Sequence, residues 1–177
     1  MSNAALRAHD LLGMPVYSIA EGKHLGAIRT LYVQRADRTV AAAAVGGSIG
    51  PPRHIRFADF NRLGDDIALV QSAAVLDRDL PDDEMRGLDS ALADRPVLTE
   101  SGQKVGEVIG FSVNCVNGRI EAYRMRPEAG FLGHVASALK NEVIQVSDQS
   151  VVSLGADAVI VRNDVAAKLG LEPKPAA

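Results

Sequence analysis

The chain contains no tryptophan and a single cysteine, and aromatic residues make up only 4% of its 177 positions. A core short of large rings has to be filled by Val, Leu, Ile and Ala, and the apolar content of 47% is enough for one. The lone thiol, Cys115, excludes an intramolecular disulfide and fits a reducing compartment. Long apolar runs are missing too. The longest, Val40 to Val45, falls far short of the roughly 20 residues a membrane-spanning helix needs. Met1 to Arg7 has no basic flank leading into an apolar run, so no signal peptide is expected. Nor is there an excess of positive charge. A formal charge of −3 and a pI near 5.8 remove the electrostatic drive toward phosphate backbones, so nucleic acid is not an expected partner. These absences leave a soluble, cytoplasmic protein of one ordinary domain or two very small ones.

What is present is a repeat. Gly22-Lys23-His24-Leu25-Gly26-Ala27-Ile28 falls on Gly102-Gln103-Lys104-Val105-Gly106-Glu107-Val108, and Val33 falls on Val113, at an offset of 80. Gly13-Met14-Pro15-Val16 precedes the first run as Asp94-Arg95-Pro96-Val97 precedes the second. Later, Ile55-Arg56-Phe57-Ala58-Asp59 resembles Ile144-Gln145-Val146-Ser147-Asp148, and Gly64 to Val70 resembles Gly155 to Val161. The offset has by then grown to 91, which places an insertion after the third strand of the second copy. Four matches in the same order indicate a duplication.

Both copies read as strands. Ala27 to Val33 and Gly106 to Val113 alternate in the period of a half-buried strand. Asn117-Gly118 predicts a type I′ hairpin turn joining Glu107–Val116 to Arg119–Arg126. In the first copy the same connection is Arg35-Ala36-Asp37-Arg38. Asp77 to Glu84 is acidic, contains Pro81 and lacks periodicity, so it reads as a linker. Helix is minor: Asp164 is expected to cap a short one running through Leu169, and the Leu132, Val135, Ala136, Leu139 spacing suggests another inside the insertion.

Leu12-Gly13-Met14-Pro15-Val16, followed by Gly22-x-x-Leu25-Gly26-x-Ile28 and then Val33, resembles the PRC-barrel domain. That domain is the small β-barrel of the photosynthetic reaction-centre H subunit's cytoplasmic part and of a ribosome maturation factor. Gly46-Gly47-Ser48-Ile49-Gly50 before Ile55 to Asp59 is similar to the family's Gly-rich loop, and Gly130-Phe131-Leu132-Gly133 before Val143 to Asp148 fits the same pattern. The resemblance implies an all-β chain of two tandem small antiparallel barrels with minor short helices. One would span residues 1–80 and the other 89–177, with the linker at about 77–88. It implies a non-catalytic binding or adaptor protein that mediates protein–protein interaction, in assemblies of the reaction-centre H type or the ribosome-maturation type. No cofactor or metal is implied, and a homodimer is one expected arrangement.

The alternative is a small serine hydrolase, since Gly46 to Gly50 spells G-x-S-x-G around Ser48. A nucleophile elbow needs a helix directly after the serine, whereas Pro51-Pro52 and an alternating run come next here, and the second copy has no Ser in its loop. The Lys-Ser/Thr pair of a phosphate loop is absent as well. His9, His24, His54 and His134 are scattered without metal-ligand spacing. Asp65-Asp66 and Asp82-Asp83 read as turn formers and solvated charge. Arg53, Arg56 and Arg62 form a modest basic cluster that could meet an acidic partner. The expected partner-binding residues are Arg53 together with the apolar members of the Gly-rich loops, Ile49, Phe131 and Leu132. The same loop residues could instead plug the ends of their own barrels.

Overall fold

A computed structural model describes residues 5–47, 50–77, 88–90, 92–128 and 143–169. Ser48, Ile49, most of the linker, and the insertion that carries Phe131, Leu132 and the expected helix at Leu132 to Leu139 lie outside them.

The chain is mostly strand, with two sheets and a few short helices. In order the elements are β1 (Ala5–Arg7), α1 (Ala8–Leu11), β2 (Pro15–Ser18), β3 (His24–Gln34), β4 (Thr39–Gly46), β5 (Arg53–Arg56), β6 (Phe60–Leu63) and β7 (Ala68–Val70). Then come β8 (Leu88–Asp89), β9 (Pro96–Thr99), β10 (Lys104–Asn114), β11 (Ile120–Pro127), β12 (Ile144–Ser147), β13 (Val151–Leu154), β14 (Val159–Val161) and α2 (Asn163–Lys168). Strands β3 and β10 match residue for residue 80 positions apart, and β5, β6 and β7 match β12, β13 and β14 at 91. The duplication is therefore present in the strands as well as the letters.

The first sheet runs in the order β5-β4-β3-β2-β7-β6, with β8 added on β3; the second runs β12-β11-β10-β9-β14-β13. The expectation of purely antiparallel pairing is corrected in both. Strand β2 pairs parallel with β7, Val16 opposite Ala68, and β9 pairs parallel with β14, Val97 opposite Val159. A parallel pair needs a long crossover, and the four intervening strands of each copy supply it.

Strand β3 shows how one strand serves its sheet along its whole length. Its buried residues are Gly26 and Ile28, then Leu31 and Val33. The step of three in the middle coincides with a register shift between Ile28 and Thr30, a bulge that resets which residues face inward. In β10, Gly106, Val108, Phe111 and Val113 are buried at the same intervals. Gly26 explains the family-like Leu-Gly-x-Ile run: its φ is +129°, and a Cβ there would lie 2.8 Å from the Gly46 carbonyl carbon. A Cβ on Gly106 would strike the Arg126 carbonyl oxygen on the corresponding strand. Close approach of two backbones requires glycine at both places.

The core is aliphatic. Val16, Ile28, Val33, Val45, Ile55 and Val70 are at most 1% exposed in the first copy, with Ala42, Ala43 and Ala44 packed beneath them. The copies differ in where their bulk sits. Strand β4, which carries the small Ala43, packs against the short turn Phe57–Asp59, which carries the large Phe57. The corresponding places in the second copy hold Tyr123, buried, and Asp148, and the Tyr123 hydroxyl donates to the Asp148 carboxylate at 3.3 Å.

By compactness the chain divides into two units. The first is Met1–Ala91 with Val113–Ile120; the second is Leu92–Ser112 with Glu121–Ala177. The tip of the second copy's hairpin thus belongs to the first unit. That tip is not a two-residue type I′ turn: β10 stops at Asn114 and β11 starts at Ile120. The Asn114 carboxamide oxygen accepts from the Val116 and Asn117 amides, holding a wider loop in which Gly118 has a positive φ (+72°) and Asn117 does not. In the first copy Arg38 takes the same place with φ of +52°.

Helix α2 starts one residue before the expected cap. Asp164 lies in its first turn, where it pairs with Arg162 and Lys168, and these two cations hold its carboxyl below the usual range. No helix among the described residues is long and apolar enough to cross a membrane.

Candidate functional site

Of the four residues expected to meet a partner, the described structure contains one. Arg53 is exposed and opens β5, opposite Val45 of β4. Its guanidinium donates to the Leu76 carbonyl at 3.2 Å. Leu76 belongs to the one-turn helix Ala73–Asp77 that comes after β7. The far end of the same turn is held by Glu21, in the β2–β3 connection. The Glu21 carboxylate accepts from the Ser72 hydroxyl at 2.8 Å and from the Ala73 amide at 3.1 Å.

Hydrogen bonds from Ser18, Ser72 and Ala73 hold the Glu21 carboxyl at about 2, well below its ordinary 4.5, because each favours the charged form. Between the two clamps lies a cavity of about 330 Å³ lined by Glu21, Lys23, Leu25, Arg53, Ser72 and Leu76. Its lining offers two cations, a carboxylate already engaged, and backbone groups. Glu21 and Ser72 carried no sequence signal, because they are 51 residues apart and meet only through the parallel β2–β7 pair.

The other candidates are dispersed. His54 lies beside Tyr32, its Nε2 3.4 Å from the hydroxyl, and His24 packs its ring 4.9 Å from that of Tyr17. Cys115 is half-buried in the tip just past β10, with its Sγ 3.9 Å from the Val113 carbonyl oxygen, rather than within the strand as expected. Asp65 and Asp66 stand in the β6–β7 turn, closed by the Gly64 amide on the Ile67 carbonyl at 2.9 Å. Arg53 and Arg56 stand on β5 and Arg62 on β6, two strands that are not paired with each other in the sheet order. Among the described residues no group of three His, Cys, Asp or Glu side chains is placed to hold a metal ion. Ser48 and His134 lie outside the described residues, as do Asp82 and Asp83. Strand β5 is the next regular element after Ser48, at a place where a nucleophile elbow would require a helix.

Comparison with known families agrees with this frame of turns, bulges and close-packed glycines. The PRC-barrel family model matches residues 4–76. These residues are similar to a PRC-barrel domain. The match takes in β2 to β7, the bulged β3 with Gly26, and both Glu21 and Arg53. No curated protein matches the chain. The strands β9 to β14, which repeat those of the PRC-barrel domain, lie beyond the matched residues.

Proposed function

We propose that this protein is a non-catalytic, cytoplasmic binding or adaptor module built of two tandem PRC-type barrels, residues 1–80 and 89–177, which engages a protein partner. The observation that carries the reading is the PRC-barrel match at residues 4–76, and the strand-for-strand repetition of that domain extends it to the second half. Barrel closure draws support from β5 and β6, which end the sheet order in the first copy yet are joined by only Phe57–Asp59. That connection spans at most about 14 Å, so the sheet must curl for its two ends to meet. The partner surface of this reading comprises Arg53 with Ile49, Phe131 and Leu132. Assemblies of the reaction-centre H type or the ribosome-maturation type, or a second copy of the chain, are the settings that the family suggests.

The test is affinity capture of the full chain from its native host, read by mass spectrometry against the Arg53→Glu and Phe131→Asp variants. Partners recovered by the wild type and depleted by the variants support the module and its surface. A fluorophosphonate probe that labels the wild type but not Ser48→Ala would overturn the non-catalytic reading.

A further inference from the structure

Asn117-Gly118 is the one Asn-Gly pair in the sequence. Glycine after asparagine removes the Cβ that otherwise shields the peptide nitrogen from the side-chain carboxamide. At such a pair the Gly118 nitrogen, once deprotonated, attacks Asn117 Cγ. A succinimide ring forms, ammonia leaves, and water then opens the ring to aspartate or isoaspartate. Both partners in that attack are held in the tip. Asn117 is exposed, and its Oδ1 accepts from the Arg119 amide at 3.0 Å, an Asx turn that lays the carboxamide along the Gly118 peptide. The nucleophile is withheld. Gly118 is buried, and its amide donates to the Asn114 carbonyl at 2.8 Å. A bonded, covered amide gives up its proton only when the structure around it opens. Its cover comes from the first copy: Phe57 Cδ1 and the Val40 carbonyl oxygen each lie 2.9 Å from where a Cβ on Gly118 would stand. The Val40 amide also donates to the Gly118 carbonyl.

We propose that Asn117 is a self-modification site, closed while the Val113–Ile120 tip is docked within the first unit and open when the tip is released. Modification then makes the release permanent. Isoaspartate routes the main chain through Cβ and adds one methylene between the Cα of residue 117 and the Gly118 nitrogen. Gly118 then cannot keep its amide on Asn114 and its carbonyl at Val40 together. The first copy carries an inert form of the same turn, since Asp37-Arg38 stands 80 positions before Asn117-Gly118. A carboxylate is a poor electrophile, and the Arg38 side chain hinders the nitrogen beside it. Asp37 shows further that aspartate fits this turn. The rerouted backbone, not the new charge, is what releases the tip.

The test is peptide mapping by mass spectrometry during incubation at mildly alkaline pH, with electron-transfer fragmentation to tell isoaspartate from aspartate. The synthetic peptide Val113–Ile120 and the full chain unfolded in urea should be modified about tenfold or more faster than the folded chain, because docking must open first. Phe57→Leu trims the ring over Gly118 and should raise the folded-state rate severalfold. If that variant does not fold, urea below the unfolding transition replaces it, and the wild-type rate should rise in step with hydrogen exchange at the Val40 and Ile120 amides. The purified isoaspartyl chain should exchange faster at both amides, while Asn117→Asp should exchange as the wild type does. Equal rates in the folded and unfolded chain overturn the proposal, as does an unmodified peptide or a folded Phe57→Leu at the wild-type rate. So does an isoaspartyl chain that keeps wild-type exchange at Val40, or an Asn117→Asp variant that exchanges as fast as the isoaspartyl form.

Discussion

Arg38 and Gly118 occupy the same turn position in the two copies, and within the first unit each accepts a hydrogen bond from the strand that comes after the other. The Ile120 amide donates to the Arg38 carbonyl at 2.9 Å, and the Val40 amide donates to the Gly118 carbonyl at 2.8 Å. Thr39 and Arg119 form an antiparallel bridge between them. The exchange is reciprocal, since Val40 and Ile120 are themselves 80 positions apart.

Equivalent turns should respond differently to the same kind of change. A Cβ on Gly118 would lie 2.9 Å from both the Val40 carbonyl oxygen and Phe57 Cδ1, at a φ of +72°. Gly118→Ala should therefore cost about 1–3 kcal/mol in urea unfolding. Arg38→Gly places the permissive residue where φ is already +52° and should stay within about 1 kcal/mol of the wild type. Equal losses at the two sites would refute this account of the turn.

A fragment ending at residue 80 lacks both β8 and the tip Val113–Ile120. The Val40 amide, on a residue 2% exposed, and the Arg38 carbonyl then lose their partners. The fragment should unfold at lower urea than the full chain and with less cooperativity, given its small size. Extending it to residue 91 restores β8 and should recover only part of the difference. Circular dichroism melts of the three proteins check the order.

Gly26→Ala should cost about 2 kcal/mol or more, since it combines left-handed strain with a backbone clash. Gly106→Ala should also destabilise, through its clash with the Arg126 carbonyl. Calorimetric melting of both variants is the measurement, and a tolerated alanine at Gly26 would contradict the observed strand approach.

Stability carried by Glu21 should depend on pH in a defined window. Its folded-state carboxyl titrates near 2 against an ordinary 4.5, so its contribution is present above about 4.5 and is lost as pH falls toward 2. Glu21→Gln keeps the shape but not the charge. The variant should be less stable than the wild type at neutral pH, and the gap should close through that acid window. A constant gap from neutral pH down to 2 would show that charge plays no part.

Tyr123→Phe removes a buried hydroxyl that reaches Asp148 at 3.3 Å and should cost about 0.5–1.5 kcal/mol. Denaturant titration checks the value. No loss would mean that solvent replaces the contact fully.

Much of the frame was legible in the sequence because duplication repeats local signals. Gly22 and Gly102 recur as positive-φ turn residues before β3 and β10, and the bulged Leu-Gly-x-Ile run and the jump in offset from 80 to 91 reappear in the strands. Non-local contacts were not legible. The parallel pairing of β2 with β7 joins residues some fifty positions apart, and alternation along either strand is the same whichever direction its partner runs. Asn117-Gly118 signalled a turn but not its width, because Asn114, three residues earlier, captures the amides that set it. Arg53 was legible as a charge near a loop, while its contact with Leu76 and the matching hold of Glu21 on Ser72 needed the fold.

That pair of holds has a mechanical consequence. The segment Ser72 to Leu76 is the path by which the chain leaves β7 toward the second copy, and it is fastened at its start by Glu21 and near its end by Arg53. Once β8 has been drawn off β3 and the Val113–Ile120 tip has been released, tension along the chain from the C-terminal side reaches the Arg53–Leu76 bond first, then the Glu21 carboxylate, before it can load the β2–β7 pair. The two side chains act as a strain relief, giving way singly and cheaply while the sheet behind them stays in register.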